Sequence, residues 1–174
     1  MSFELPIPVL ETERLILRAP QESDLDAMAG FWASDRSHIL GGPVSRHEAW
    51  RKLAGMIGHW AMRGYGFFVL QEKSDGAPLG GVGIISPEGW SEPEIGWHVF
   101  EGAEGKGYAY EAALKVRAYA DEVLGIATPI SHIAAENSRS IALAKRLGAT
   151  FEREAVVAGH PCHIYRHPRV EDLP

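Results

Sequence analysis

The stretch EIGWHVFEGAEGKGYAYEA, residues 94–112, constrains the possible folds more than any other. Residues 94–100 read as a strand, and alternation places Glu94, Gly96 and His98 on one face. A helical pattern follows, with Ala109, Ala112, Ala113, Val116, Ala120 and Val123 spaced to face inward. Between them lie Gly102, Gly105 and Gly107, which leave the backbone bare at the mouth of the helix. The first turn of a helix has amide groups without partners and carries partial positive charge. Phosphate oxygens satisfy both needs, and each charge-assisted bond contributes about 1.5–3 kcal/mol. The stretch therefore suits a diphosphate; a plain turn before a packed helix is the alternative. It is not the G-x-G-x-x-G of a dinucleotide fold, and Lys106 is not followed by the Ser/Thr of a Walker loop.

The rest of the chain sets the surroundings of that turn. Residues 12–20 alternate as a half-buried strand that Pro20 stops. Ser23 is placed as an N-cap for a helix that buries Leu25, Met28, Ala29 and Trp32. Ser45 and Glu48 have capping-box spacing ahead of a second helix lined by Trp50, Leu53, Ile57 and Trp60, with Trp50 and Trp60 expected in the core. Residues 65–73 and 79–86 form a hairpin around a Ser-Asp-Gly-Ala-Pro turn. A strand over 128–136 leads into a helix over 137–149, with Gly148 at its C′ position. Two last strands span 150–168 around Ala158-Gly159-His160-Pro161. The order β-α-α-β-β-β-α-β-α-β-β lacks the strict alternation of a doubly wound fold. An α+β (mixed α/β) domain with a largely antiparallel sheet is expected.

A chain of 174 residues suits one domain, taken as 1–174 with residues 1–10 as an extended lead-in. No apolar run approaches the roughly 20 residues of a membrane span, and the start lacks a signal-peptide pattern, so a cytoplasmic protein without a membrane partner is expected. A net charge of −6 without a Lys/Arg stripe argues against nucleic acid as a partner. The single cysteine, Cys162, excludes an internal disulfide and reads as a small packed thiol. His160, His163 and His167 lack the helical i, i+4 frame that zinc sites favour, so no metal is expected.

The glycine-rich segment, followed by AAENSRSIALAKRLGATFE at 134–152, resembles the GCN5-related N-acetyltransferases (GNAT), and most closely their RimJ/RimL-like branch that acetylates ribosomal-protein N-termini. The likeness runs from LETERLILRAP to YRHP. It implies the GNAT fold, a sheet of about seven strands flanked by four helices. It also identifies the diphosphate as that of acetyl-CoA, used as co-substrate, with an amine acceptor that is a small molecule or a protein N-terminus. The family signature Gln/Arg-x-x-Gly-x-Gly/Ala falls on Glu104, Gly107 and Ala109, with an acid at its first position. Diphosphate binding is then assigned to the backbone of Gly105, Gly107, Tyr108 and Ala109, with Lys106 supplying charge and Tyr108 packing along the cofactor.

The resemblance further implies direct acetyl transfer from thioester to amine. The Val99 N–H, beside Trp97, is the candidate donor to the thioester carbonyl. Glu94 is the expected base acting through water, and His98 on the same face is the rival. Asn137 would bind pantetheine, and Ser140 would contact or protonate the departing thiolate. A non-catalytic acyl-CoA-binding or sensing module is the competing reading, and a homodimer is left open.

Overall fold

The computed structural model describes residues 5–173. The first four residues of the expected lead-in lie outside them. Eight strands form one sheet in the order β1-β2-β3-β4-β5-β6-β8-β7. They are β1 (Leu10–Glu11), β2 (Leu15–Arg18), β3 (Phe67–Glu72), β4 (Pro78–Ile85), β5 (Glu94–Val99), β6 (Ile130–Ile133), β7 (Thr150–Val157) and β8 (His160–Arg166). Four helices pack around it: α1 (Leu25–Ala33), α2 (Arg46–Arg63), α3 (Tyr108–Glu122) and α4 (Ser138–Arg146). The fold is mixed α+β, as expected. The additional strand, Leu10–Glu11, closes the end of the lead-in against Ile16 and Leu17 of β2.

Every neighbouring pair is antiparallel except β5–β6, which is parallel and has a single register pair, Glu94↔Ile130. Beyond that rung the two strands part. The first backbone groups freed at the parting are taken up by side chains, as buried polar groups require. The Ser131 hydroxyl donates to the Ile95 carbonyl at 2.7 Å, and the His132 amide donates to Glu94 Oε1 at 3.2 Å. Ser131 and Glu94 thus brace the vertex of a V-shaped gap in the sheet.

One side of the sheet is covered by α3, whose Ala112, Ala113, Val116 and Ala120 are fully buried against Leu15, Leu17, Phe68, Val82 and Ile95. Small alanines let the helix axis approach the sheet closely. A second cluster joins α1 and α2 through Met28, Phe31, Trp32, Ala49 and Leu53, with Phe100 beneath them. Tight sheet geometry explains Gly83: a Cβ there would collide with the Gly66 carbonyl and Phe67 Cα on β3.

Local signals and observed packing differ at three places. The cap before α1 is not Ser23; the Asp24 carboxylate accepts the Gln21 amide at 2.8 Å and pairs with Arg18. Trp50 is 45% exposed, because the buried stripe of α2 runs through Ala49, Leu53 and Trp60, and Trp50 sits about 100° round from Ala49. Val123 is 66% exposed, as α3 has already ended at Glu122. The Ser45–Glu48 capping box forms as its spacing predicts.

Candidate active site

A cleft of about 570 Å³ opens where β5 and β6 diverge, walled by α3, α4 and the 3-10 helix Asp35–Leu40. Its β5 wall is the edge that β6 has left. Backbone groups alternate along a strand, and the Phe100 N–H goes to Leu79 on the β4 side. Val99 therefore turns its N–H and C=O to the vacated edge, as does Trp97.

At the glycine turn ahead of α3, Gly102, Gly105 and Gly107 have φ of 82°, 71° and 80°. A Cβ on Gly105 would meet nothing, and one on Gly107 would meet only Arg14 Nη2 at 3.5 Å. The glycines are required there by left-handed backbone rather than by crowding within the protein. Gly107 is the N-cap residue of α3, and no side chain caps it. The first-turn amides of Tyr108 and Ala109 consequently face the cleft without a side-chain cap, and both residues line it. The turn is tied to β2 by Arg14, which donates to the Lys106 carbonyl at 2.9 Å and to Glu111 at 2.7 Å. Arg14 also lies 4.5 Å over the Tyr108 ring. Tyr108 is buried, and its hydroxyl donates to Glu72, which pushes its pKa up. Its side chain is an anchor under the turn.

Glu104 lies in the cleft wall and is paired with Arg36 at 3.0 Å. Bonding to backbone amides, its own first, and then the Arg36 charge hold its carboxyl below the usual range. Lys106 does not line the cleft; it borders a neighbouring groove with Arg14, Lys115 and Arg146. The cationic side chains that do reach the cleft are Arg36, Arg139 and Arg146, the last stacked 3.8 Å over Tyr110. Sequence reasoning missed all three. Arg139 and Arg146 stand at i and i+7 around Leu143, a spacing that puts them on one face of α4 and that the residues themselves display.

Asn137 and Ser140 meet at the N-terminus of α4. Asn137 Oδ1 accepts the Ser140 amide at 3.1 Å, and Asn137 Nδ2 donates to Ser140 Oγ at 3.0 Å. Trp97 Nε1 also donates to Ser140 Oγ, at 3.2 Å. A serine oxygen has two acceptor positions and one hydrogen. With both acceptor positions filled by N–H donors, the Ser140 hydrogen is left to be donated elsewhere, in a residue that lines the cleft.

Glu94 and His98 share a face of β5, as alternation requires, but their settings differ. His98 sits among Phe31, Phe67 and Phe100 at ring distances of 5.4, 5.6 and 5.7 Å. Burial pushes its pKa down to about 4. Glu94 is 8% exposed, stands at the vertex rather than in the cleft wall, and accepts from Trp90 Nε1 and His132 Nδ1 at 2.5 and 2.8 Å. Cys162 is buried; burial and then the Glu94 charge raise its thiol pKa.

Comparison with known proteins places this architecture. The acetyltransferase (GNAT) domain family matches residues 14–150. An acetyltransferase from Agrobacterium tumefaciens str. C58 is 34% identical over 97% of this chain and 99% of its own, with a TM-score of 0.87. A GNAT-family acetyltransferase from Bordetella pertussis is 25% identical over 92% and 99%, with a TM-score of 0.77. RimL, a ribosomal L7/L12 alpha-N-protein acetyltransferase solved in complex with coenzyme A, shares the fold at 19% identity over 95% and 100%, with a TM-score of 0.76. The parted strands and the uncapped glycine turn thus have their explanation: the chain belongs to the GNAT family of acetyltransferases, which take their acetyl group from acetyl-CoA.

Proposed function

We propose that the enzyme moves acetyl directly from acetyl-CoA to a primary amine of a small molecule or a protein N-terminus, without an acyl-enzyme. The observation that carries this reading is the Ser140 hydroxyl, its acceptor positions filled by Trp97 and Asn137 and its hydrogen free beside the cleft. Such a hydroxyl is arranged to donate to a departing thiolate. The uncapped first turn of α3 and Arg36, Arg139 and Arg146 suit the diphosphate, and the Val99 N–H at the vacated edge suits the thioester carbonyl.

In this mechanism the amine nitrogen attacks the carbonyl carbon, the C–S bond breaks, and the thiolate takes the Ser140 proton. The amine's proton leaves toward the vertex of the cleft, where Glu94 stands on the face of β5 shared with His98. His98, with a pKa of about 4 in an aromatic cage, is a weak base at neutral pH and serves as a wall. The activity of RimL on a protein N-terminus makes short peptides a necessary part of the acceptor search. The test is release of free thiol from acetyl-CoA with a panel of amines and N-terminal peptides, with the acetylated product identified by mass. Thiol release without an acetylated amine would refute direct transfer.

A further inference from the structure

At the vertex of the cleft, Glu94 and His132 form a pair that the mechanism above leaves half explained. The two residues are 38 positions apart in sequence, and His132 Nδ1 lies 2.8 Å from Glu94 Oε2. A carboxylate can only accept, so Nδ1 carries a proton, and in the neutral ring the lone pair is on Nε2. Two further donors fix the carboxylate: the His132 amide at 3.2 Å and Trp90 Nε1 at 2.5 Å. The Trp90 ring meets the imidazole edge-on at 5.9 Å and 80°, which fixes the ring plane. His132 Nε2 has no hydrogen-bond partner among the described residues, yet it is not one of the fully buried unpartnered atoms. The side chain is 7% exposed, which gives Nε2 a narrow opening to solvent.

This is the arrangement of an oriented base: a carboxylate holds one nitrogen of an imidazole, selects the tautomer, and stabilises the imidazolium that forms. We infer that His132 Nε2, through solvent, receives the proton of the acceptor amine, and that Glu94 is its positioning partner rather than the proton acceptor. The inference rests on the amine-acetylation reading above. The N–H bond of the attacking amine breaks and its proton passes to Nε2. The imidazolium then releases that proton to solvent, and the Ser140 oxygen regains one from solvent. The sum is amine plus thioester to amide plus thiol. The groups around the pair include Trp90 from the loop before β5, Cys162 from β8, which feels the Glu94 charge, and the cationic Arg153 of β7, which stands in register with His132 across Ile164 and acts on the same thiol.

The experiment uses one amine that the wild-type enzyme acetylates and follows kcat/KM against pH for His132→Ala, His132→Gln and Glu94→Gln. Both His132 variants should lose at least about tenfold in kcat, keep their acetyl-CoA affinity, and lose the limb on which activity rises with pH. Added imidazole should restore His132→Ala in proportion to its neutral fraction, which a merely structural role for the ring would not produce. In the unaltered enzyme, nitrogen NMR of His132 should report the Nδ1–H tautomer, a readout independent of whether the variants fold. Wild-type kinetics in both His132 variants, loss of activity confined to Glu94→Gln, or an Nε2–H tautomer would each overturn the inference. The first two leave amine acetylation standing, whereas a wild type that acetylates no amine in the panel removes both.

Discussion

The Arg36 guanidinium lies 3.0 Å from Glu104 and donates to the Val99 carbonyl at 3.0 Å. One side chain thus joins the 3-10 helix Asp35–Leu40, the open edge of β5 and the glycine turn. It also answers the acid at the first position of the family signature: the Glu104 charge is offset before any ligand arrives. Arg36→Gln should leave that carboxylate facing the cofactor diphosphate and weaken acetyl-CoA binding by about tenfold, or 1.4 kcal/mol. Adding Glu104→Gln should recover much of the loss. Titration calorimetry over the double-mutant cycle checks the coupling, and additive effects would separate the two residues.

Gly107→Val should weaken acetyl-CoA binding by at least about tenfold. Valine is strained at the Gly107 φ of 80°, and its branches would project beside the first-turn amides. Calorimetry on variant protein with a native thermal transition is the measurement. Unchanged affinity would return the glycines to the role of a plain turn.

Ser140→Ala should lower kcat by about tenfold or more while acetyl-CoA affinity stays near wild type, because a proton donated to the leaving group acts in the transition state. Trp97 and Asn137 would each lose one acceptor, so the variant's melting temperature should be recorded beside its kinetics. A wild-type turnover number would reduce Ser140 to a helix residue.

His98 and His167 make stability sensitive to acid. Burial lowers their pKa values to about 4 and about 3, with Arg117 and Arg166 adding to the His167 shift. The unfolded chain takes up these protons near pH 6.5, while the folded protein does not until pH falls further. Stability is therefore full above about pH 6.5 and is lost progressively as pH falls toward 4, with a limiting slope of about 1.4 kcal/mol per pH unit for each histidine. His98→Gln should reduce that slope by one proton in denaturant titrations between pH 6.5 and 4. The same variant should leave the neutral limb of kcat/KM in place. A displaced limb would make His98 the base after all.

Signals carried by near neighbours were legible in the chain. The Ser45–Glu48 capping box depends on a few consecutive residues and forms as its spacing predicts, and the glycine turn stands directly ahead of α3 where the sequence puts it. Trp50 and Ser23 were misread for a related reason. Periodicity marks an apolar stripe to within one residue, and only packing decides which side of that margin is covered.

Element order, the mixed α+β class and the bare helix mouth follow from the sequence alone, because strand alternation, helical spacing and turn chemistry are local. The working surfaces of the cleft depend on tertiary structure. Arg36 meets Val99 across 63 residues, and Glu94 meets His132 across 38. No spacing rule links such positions. They are brought together by the sheet order, and by a parallel pair, β5–β6, that keeps one rung and then opens. The freed backbone groups at that opening must find partners, and satisfying them is what brings the Glu94 carboxylate and the His132 amide, and with it the imidazole, to the same vertex.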